Sequence, residues 1–350
     1  MKIGKLQLSR IIRKVCYTFA YVLFCFVFLL LVFECMYRWQ IIDTYYPELV
    51  AYNSDNNLKN RDKMETILIM GDSFTAGQYN YPFFMQNELK NWRIINSGVS
   101  GTGVIQASII APKRFKEFKP SIYIYQIYVG NDLFDITYPV NWNTLSFSRN
   151  TYWIVSNYFR SVSFLNYRLG QISVGKSNTN EGESGQIYNL NTTDNFSVKK
   201  YNEGERVYIK AEPFILENQI MVNGKRKKDF DVFIRKLKEL ISYCKPGVCK
   251  SYILVIPHAC QVDEHYLENM RRLGSVFSET EQILKDEYPF IVQIQQEFKR
   301  NSHVHVLNPI QILKDHENDG KPMYFQNDGH LNPQGQRVIA EYINSQIELN

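Results

Sequence analysis

The sequence predicts an α/β domain on a five-stranded parallel sheet, carried behind an N-terminal transmembrane helix and broken by one insertion after the third strand. Three observations carry that expectation. Short apolar runs alternate with helix-period segments on both sides of a long irregular stretch. The first of those runs stops at Gly71-Asp72-Ser73, so a hydroxyl sits where a buried strand ends. Residues 15–33, VCYTFAYVLFCFVFLLLVF, contain no charge.

That chargeless run comes first along the chain. As a helix it reaches roughly 28 Å, enough for the hydrocarbon core of a bilayer. It leaves through Glu34-Cys35-Met36-Tyr37-Arg38-Trp39, without the small-residue cleavage site of a signal peptide. Residues 15–37 therefore read as a single-pass anchor into the lipid bilayer. Lys2, Lys5, Arg10, Arg13 and Lys14 predict that residues 1–14 form a cytoplasmic tail. The rest is then expected outside the cytoplasmic membrane, at the cell surface or in the periplasm. Residues 38–64 read as a polar, tyrosine-rich connector, and 65–350 as the folded domain.

Within the domain, residues 66–70 form the first expected strand and 83–90 a helix. A second strand falls at 92–99, a weak helix at 105–118 and a third strand at 121–129. Regular alternation then stops from about 134 to 228. Residues 134–168 are aromatic and irregular, and 171–204 read as a polar, mobile loop bordering the cleft. Residues 206–215 and 219–222 read as a hairpin or small sheet ending at Asn223-Gly224. The KRKK run at 225–228 reads as a solvated helix start. Phe230, Phe233, Ile234, Leu237, Leu240 and Ile241 follow helical spacing. Strands follow at 251–256 and 303–307, with a polar helix or helix pair at 262–287 between them. Asn332-Pro333 opens the last helix, an N-cap followed by proline at the first helical position.

Composition narrows the function. With 45% hydrophobic and 14% aromatic residues, most of the chain has a core to form. The net charge is +5, but five of the basic residues precede the anchor and only Glu34 opposes them in the first 37 positions. The remainder is close to neutral, which gives no footprint for nucleic acid. Of the six cysteines, Cys16, Cys25 and Cys35 belong to the anchor and Cys260 stands alone. Cys244 and Cys249 flank a Pro-Gly turn. An oxidising compartment permits a bridge between them, and two ordinary half-buried thiols fit as well. No cysteine or histidine spacing suggests zinc, and nothing calls for a cofactor.

Four segments stand at expected strand ends, where open α/β sheets collect their functional groups. They are Gly71-Asp72-Ser73, the run from Asn96 to Gly103, Gly130-Asn131-Asp132, and Asn327-Asp328-Gly329-His330. This inventory suits acyl transfer. A serine hydroxyl needs a base, which His330 can supply, and Asp328 can hold the imidazole tautomer. The Ser73 and Gly101 amides and the Asn131 side chain can donate to an oxyanion. Asp72 reads as a loop-fixing acid, Asp132 and Asp135 as supports of the Asn131 turn, and His258 as a locally bonded residue. His303 and His305 read as structural, His265 and His316 as surface residues.

GDSF, GVSG, GND and DGH, in that order, resemble the conserved blocks of the SGNH/GDSL hydrolases. The resemblance implies a flavodoxin-like three-layer α/β/α sandwich. It also implies Ser73 as nucleophile, His330 as base, Asp328 as its orienter, and Ser73, Gly101 and Asn131 around the oxyanion. GDSFTAG, GNDLFD and DGHLNPQGQRVIA resemble a membrane-attached branch associated with carbohydrate O-acylation. The substrate so implied is an acyl ester, O-acetyl in the first instance, of an extracytoplasmic glycan. An esterase, an O-acyltransferase and a non-catalytic glycan-binding scaffold all fit the blocks. Two departures stand out. Gly130 adjoins Asn131 directly, and Asp328 precedes His330 by two positions instead of three. Asn327 occupies the third position, so either side chain can orient the imidazole.

Overall fold

A computed structural model describes residues 2–54, 57–58, 64–175 and 194–349. Strands β1 (Thr66–Met70), β2 (Arg93–Asn96), β3 (Ile122–Tyr128), β4 (Lys250–Ile256) and β5 (Val304–Leu307) form one sheet in the order β2-β1-β3-β4-β5. Every pairing is parallel. All residues of β1 and β3 are buried, which is why these strands read as unbroken apolar runs.

Successive side chains point to opposite faces, and two cores result. Leu68, Met70, Tyr123, Tyr125 and Ile253 face the helices Val104–Phe118, Arg226–Ile241 and Pro289–Phe298. Ile67, Ile69, Ile124, Tyr252 and Leu254 face Tyr81–Glu88 and Pro333–Gln346. Each such aliphatic side chain contributes roughly 1.5–3 kcal/mol when fully buried. The three-layer sandwich expected from the sequence is therefore present. Its strand order reverses between β1 and β3, and a crevice opens at that point beyond their carboxyl ends.

The insertion differs from expectation. Its aromatic part folds as the helices Phe147–Tyr158 and Arg160–Gly175. The expected hairpin is absent, and the helices Glu203–Ala211 and Ile215–Ile220 stand in its place. The β-branched alternation around Val207 and Ile209 is overruled by an N-cap: the Asn202 side chain accepts from the Glu205 N–H, and Ile209 and Ala211 then turn inward. The larger part of the expected mobile loop, 176–193, lies outside the described residues. In the KRKK run Arg226 is buried, not solvated. It pairs with Glu212 (2.7 Å) and Asp229 (2.9 Å). Further on, residues 262–287 carry the short helices Glu264–Arg272 and Thr280–Ile283. Cys244 and Cys249 are bonded to each other, their Cα atoms 5.1 Å apart.

The N-terminal helix runs from Lys2 to Arg38, and its stretch Ile12–Arg38 is long and apolar enough to cross a membrane. Its end is fastened to the domain. Glu34 accepts the Arg160 N–H (3.1 Å) and the Ser161 N–H (2.8 Å), capping the Arg160–Gly175 helix from another part of the chain. Residues 38–64 are not a free connector. Tyr45 and Leu49 are buried, and Asp43 pairs with the buried Arg114.

Candidate active site

The first block is set by β1 and by one close approach. A Cβ on Gly71 would lie 2.4 Å from Gln126 Oε1, so only glycine lets the turn cross β3 here. Asp72 Oδ1 accepts the Phe74 N–H (2.9 Å), which closes the turn that presents Ser73. The second block continues alongside. Ser97 N–H reaches Ile69 O (2.8 Å) and Val99 N–H reaches Gly71 O (2.9 Å). Gly101 adopts φ +68°, in the left-handed region that glycine favours.

Ser73, His330 and Asp328 meet. His330 Nε2 lies 2.7 Å from Ser73 Oγ, although 257 positions separate the two residues. His330 Nδ1 is hydrogen-bonded to Asp328 Oδ1, which also accepts the His330 N–H at 3.0 Å. The two-residue spacing thus makes a tight Asx turn, and one carboxylate oxygen holds both the backbone and the ring. Asn327 points elsewhere. Its Oδ1 accepts the Ser197 N–H (2.7 Å) and its Nδ2 donates to Asn195 O (3.0 Å). Between the two candidates for orienting the imidazole, the geometry selects Asp328. Phe74 stacks on the imidazole with ring centroids 4.8 Å apart.

Ser73, Gly101, Asn131 and His330 border one cleft of about 510 Å³. Burial lowers the His330 pKa, but the Asp328 charge and hydrogen bond outweigh it and lift the imidazole to about 9. Burial alone would raise the Asp328 carboxyl. The adjacent imidazolium and the bonds from His330 and Asn202 reverse this and hold it below its usual range. Three further acids lie beneath the oxyanion side. Burial, and then the charge of Asp72, raises both Asp132 and Asp135, the latter to about 8. Among the described residues no group of His, Cys, Asp or Glu has the arrangement to hold a metal ion.

Several residues at the site carry no sequence signal. Asn202 donates to Asp328 Oδ2 (2.8 Å) from the insertion. Glu205 accepts from Tyr201 Oη (2.9 Å) and bonds His258 Nε2 (2.8 Å). Because His258 Nδ1 accepts the Cys260 N–H, the ring is neutral with its proton on Nε2. Gln219 Nε2 donates to Gly130 O (2.7 Å) and its Oε1 accepts the Phe134 N–H (3.1 Å), pinning the third block. The insertion therefore clasps two of the four blocks. His305 stacks on Tyr252 within the sheet, away from the cleft.

The sheet order and the four strand-end blocks form the SGNH-type architecture that the sequence resemblance implies. No protein-family model matches the chain, and no curated protein matches it either. Among solved structures it is similar to an acetylxylan esterase from Geobacillus stearothermophilus, at 13% identity and TM-score 0.37 over 82% of this chain and 95% of that one. It is also similar to a lipase/acylhydrolase from Enterococcus faecalis, at 12% identity and TM-score 0.39 over 81% and 95% of the two chains.

Proposed function

We propose that the protein is a serine-dependent ester hydrolase that works through an acyl-Ser73 intermediate. The carrying observation is the contact of Ser73 Oγ with His330 Nε2 at 2.7 Å, with Asp328 bonded to the far nitrogen of the same ring. Neutral His330 takes the Oγ proton as Oγ bonds to the acyl carbon and the carbonyl electron pair moves onto oxygen. The Ser73 N–H, the Gly101 N–H and the Asn131 side chain are the donors for that oxygen. Collapse breaks the bond to the alcohol oxygen, which takes the proton from Nε2. Asp328 stabilises the imidazolium between these steps.

Water then attacks acyl-Ser73 by the same route in reverse. A sugar hydroxyl in place of water makes the enzyme an O-acyltransferase, with the same residues in the same roles. The substrate we propose is a short acyl ester of a carbohydrate outside the cytoplasmic membrane, acetyl being the smallest acyl group the site takes. The basic flank before the apolar helix supports the outward orientation of the domain. The Cys244–Cys249 bridge supports an oxidising compartment.

A fluorophosphonate probe tests the reading. The full-length protein in detergent is expected to be labelled, and its Ser73→Ala form is not. Equal labelling of the two, or none in either, refutes the nucleophile. Release of free acetate from an acetyl ester, with and without a sugar acceptor, separates hydrolysis from transfer.

A further inference from the structure

A second chamber of about 240 Å³ opens off the main cleft. The two share Ser100, Gly101, Asn131 and Tyr208, so they join at the oxyanion donors. Neither Ser73 nor His330 lines the second chamber. It is a product of the insertion, closed by Tyr138, Tyr152, Trp153, Tyr167 and the Gly170 backbone.

The geometry of a tetrahedral intermediate says what belongs there. Its carbon carries four groups: Ser73 Oγ, the oxyanion, the alcohol oxygen and the acyl substituent. The alcohol oxygen must lie beside His330 Nε2 to receive its proton, and His330 lines the main cleft. The oxyanion lies at the donors where the chambers join. The acyl substituent is the remaining group, and the side chamber is the remaining space.

The lining describes that substituent. Among the described residues not one aliphatic side chain borders the chamber. Asp135, 7% exposed, has its Oδ2 there without a hydrogen-bond partner in the chain, and Asn131 Oδ1 is likewise unpartnered. A buried polar atom left unpaired costs about 1–3 kcal/mol, which a ligand hydroxyl relieves and an alkyl chain does not. Burial, reinforced by Asp72, keeps the Asp135 carboxyl protonated near neutral pH, so it has a proton to give.

We propose that the side chamber receives the acyl group of the ester and is built for a short acyl chain bearing a hydroxyl group. The proposal rests on the ester chemistry assigned to Ser73. The test uses the full-length protein in detergent and three 4-nitrophenyl esters with one leaving group: acetate, butyrate and 3-hydroxybutyrate. Rates are normalised to hydroxide-catalysed hydrolysis. The expected kcat/KM for the 3-hydroxybutyrate is at least tenfold above both others. Gly170→Leu then fills the chamber. An added Cβ there meets nothing within 4 Å, and leucine suits a helix better than glycine. The ratio of 3-hydroxybutyrate to acetate should fall at least tenfold in this variant.

Equal rates on the three esters, or a preference for butyrate, overturn the acyl pocket while leaving the ester reading intact. So does a ratio that Gly170→Leu leaves unchanged. Turnover of no ester above the Ser73→Ala background removes the ester reading, and the pocket with it.

Discussion

Asn202 gives the sharpest test of how the insertion serves the site. Its Nδ2 donates to Asp328 Oδ2 at 2.8 Å, and its Oδ1 caps the Glu203–Ala211 helix by accepting from the Glu205 N–H at 3.2 Å. Asn202→Ser separates these roles. Serine remains an N-cap but is too short to reach Asp328. Asp328 is 7% exposed, so water replaces the lost donor poorly. A hydrogen bond to a charged group contributes about 1.5–3 kcal/mol. At about 1.36 kcal/mol per decade this predicts a kcat lower by roughly 10- to 150-fold. The alcohol and acyl parts of the substrate do not touch the deleted amide, so KM should stay within about twofold. With the cap retained, Tm should move by no more than about 2 °C. Steady-state kinetics on one ester and a thermal melt suffice as assays. A kcat within twofold of wild type, or a kcat loss matched by a collapse of Tm, refutes a positioning role for Asn202.

Other expected outcomes follow from the same geometry. Since Asp328 lifts His330 to about 9, kcat/KM should rise with pH to a midpoint near that value, as the base must be neutral to act. A midpoint near the ordinary imidazole value of 6.5 contradicts the assigned pairing. The linked stability has the opposite slope. The raised pKa stabilises the fold fully below 6.5, and that contribution is lost as pH rises through about 9, so Tm should decline over this window in the wild type and less in His330→Ala. Gln219→Ala frees Gly130 O and the Phe134 N–H, and should lower kcat about tenfold through Asn131, read by the same ester assay. Glu34→Ala leaves the Arg160 and Ser161 N–H groups unpaired, and calorimetry should show Tm lower by about 2–4 °C.

How much of this was legible in the sequence depends on the range of the forces involved. The strands at the centre were readable because burial on both faces demands unbroken apolar runs, as in TILIM and IYIYQIY. Asn332-Pro333 was readable because a cap is a local device. Ser73, Asn131 and His330 were identifiable from short blocks, although their meeting point is not written in any of them. The insertion was not readable. Asn202 acts on Asp328 across 126 positions, and Gln219 acts on Gly130 across 89. Nothing near either residue announces its partner. The same holds for residues 38–64, where Asp43 is fixed by an arginine 71 positions away. Strand propensity misled at Val207 and Ile209 because a capped helix, pinned by Glu205 to His258, outweighs a weak local preference.

The capping of the Arg160–Gly175 helix by Glu34 leaves the catalytic head without a hinge at its base. A head on a slack tether sweeps a whole shell of distances and meets whatever drifts into it. Here the stalk and head turn together, with Tyr37, Tyr45 and Phe164 wedged at the joint. The mouth of the cleft stands at a fixed elevation and bearing above the point where the apolar stalk stops. An ester borne on a long or differently rooted polymer comes into register only at that elevation, so the stalk acts as a ruler and reach becomes a second criterion of selection beside chemistry.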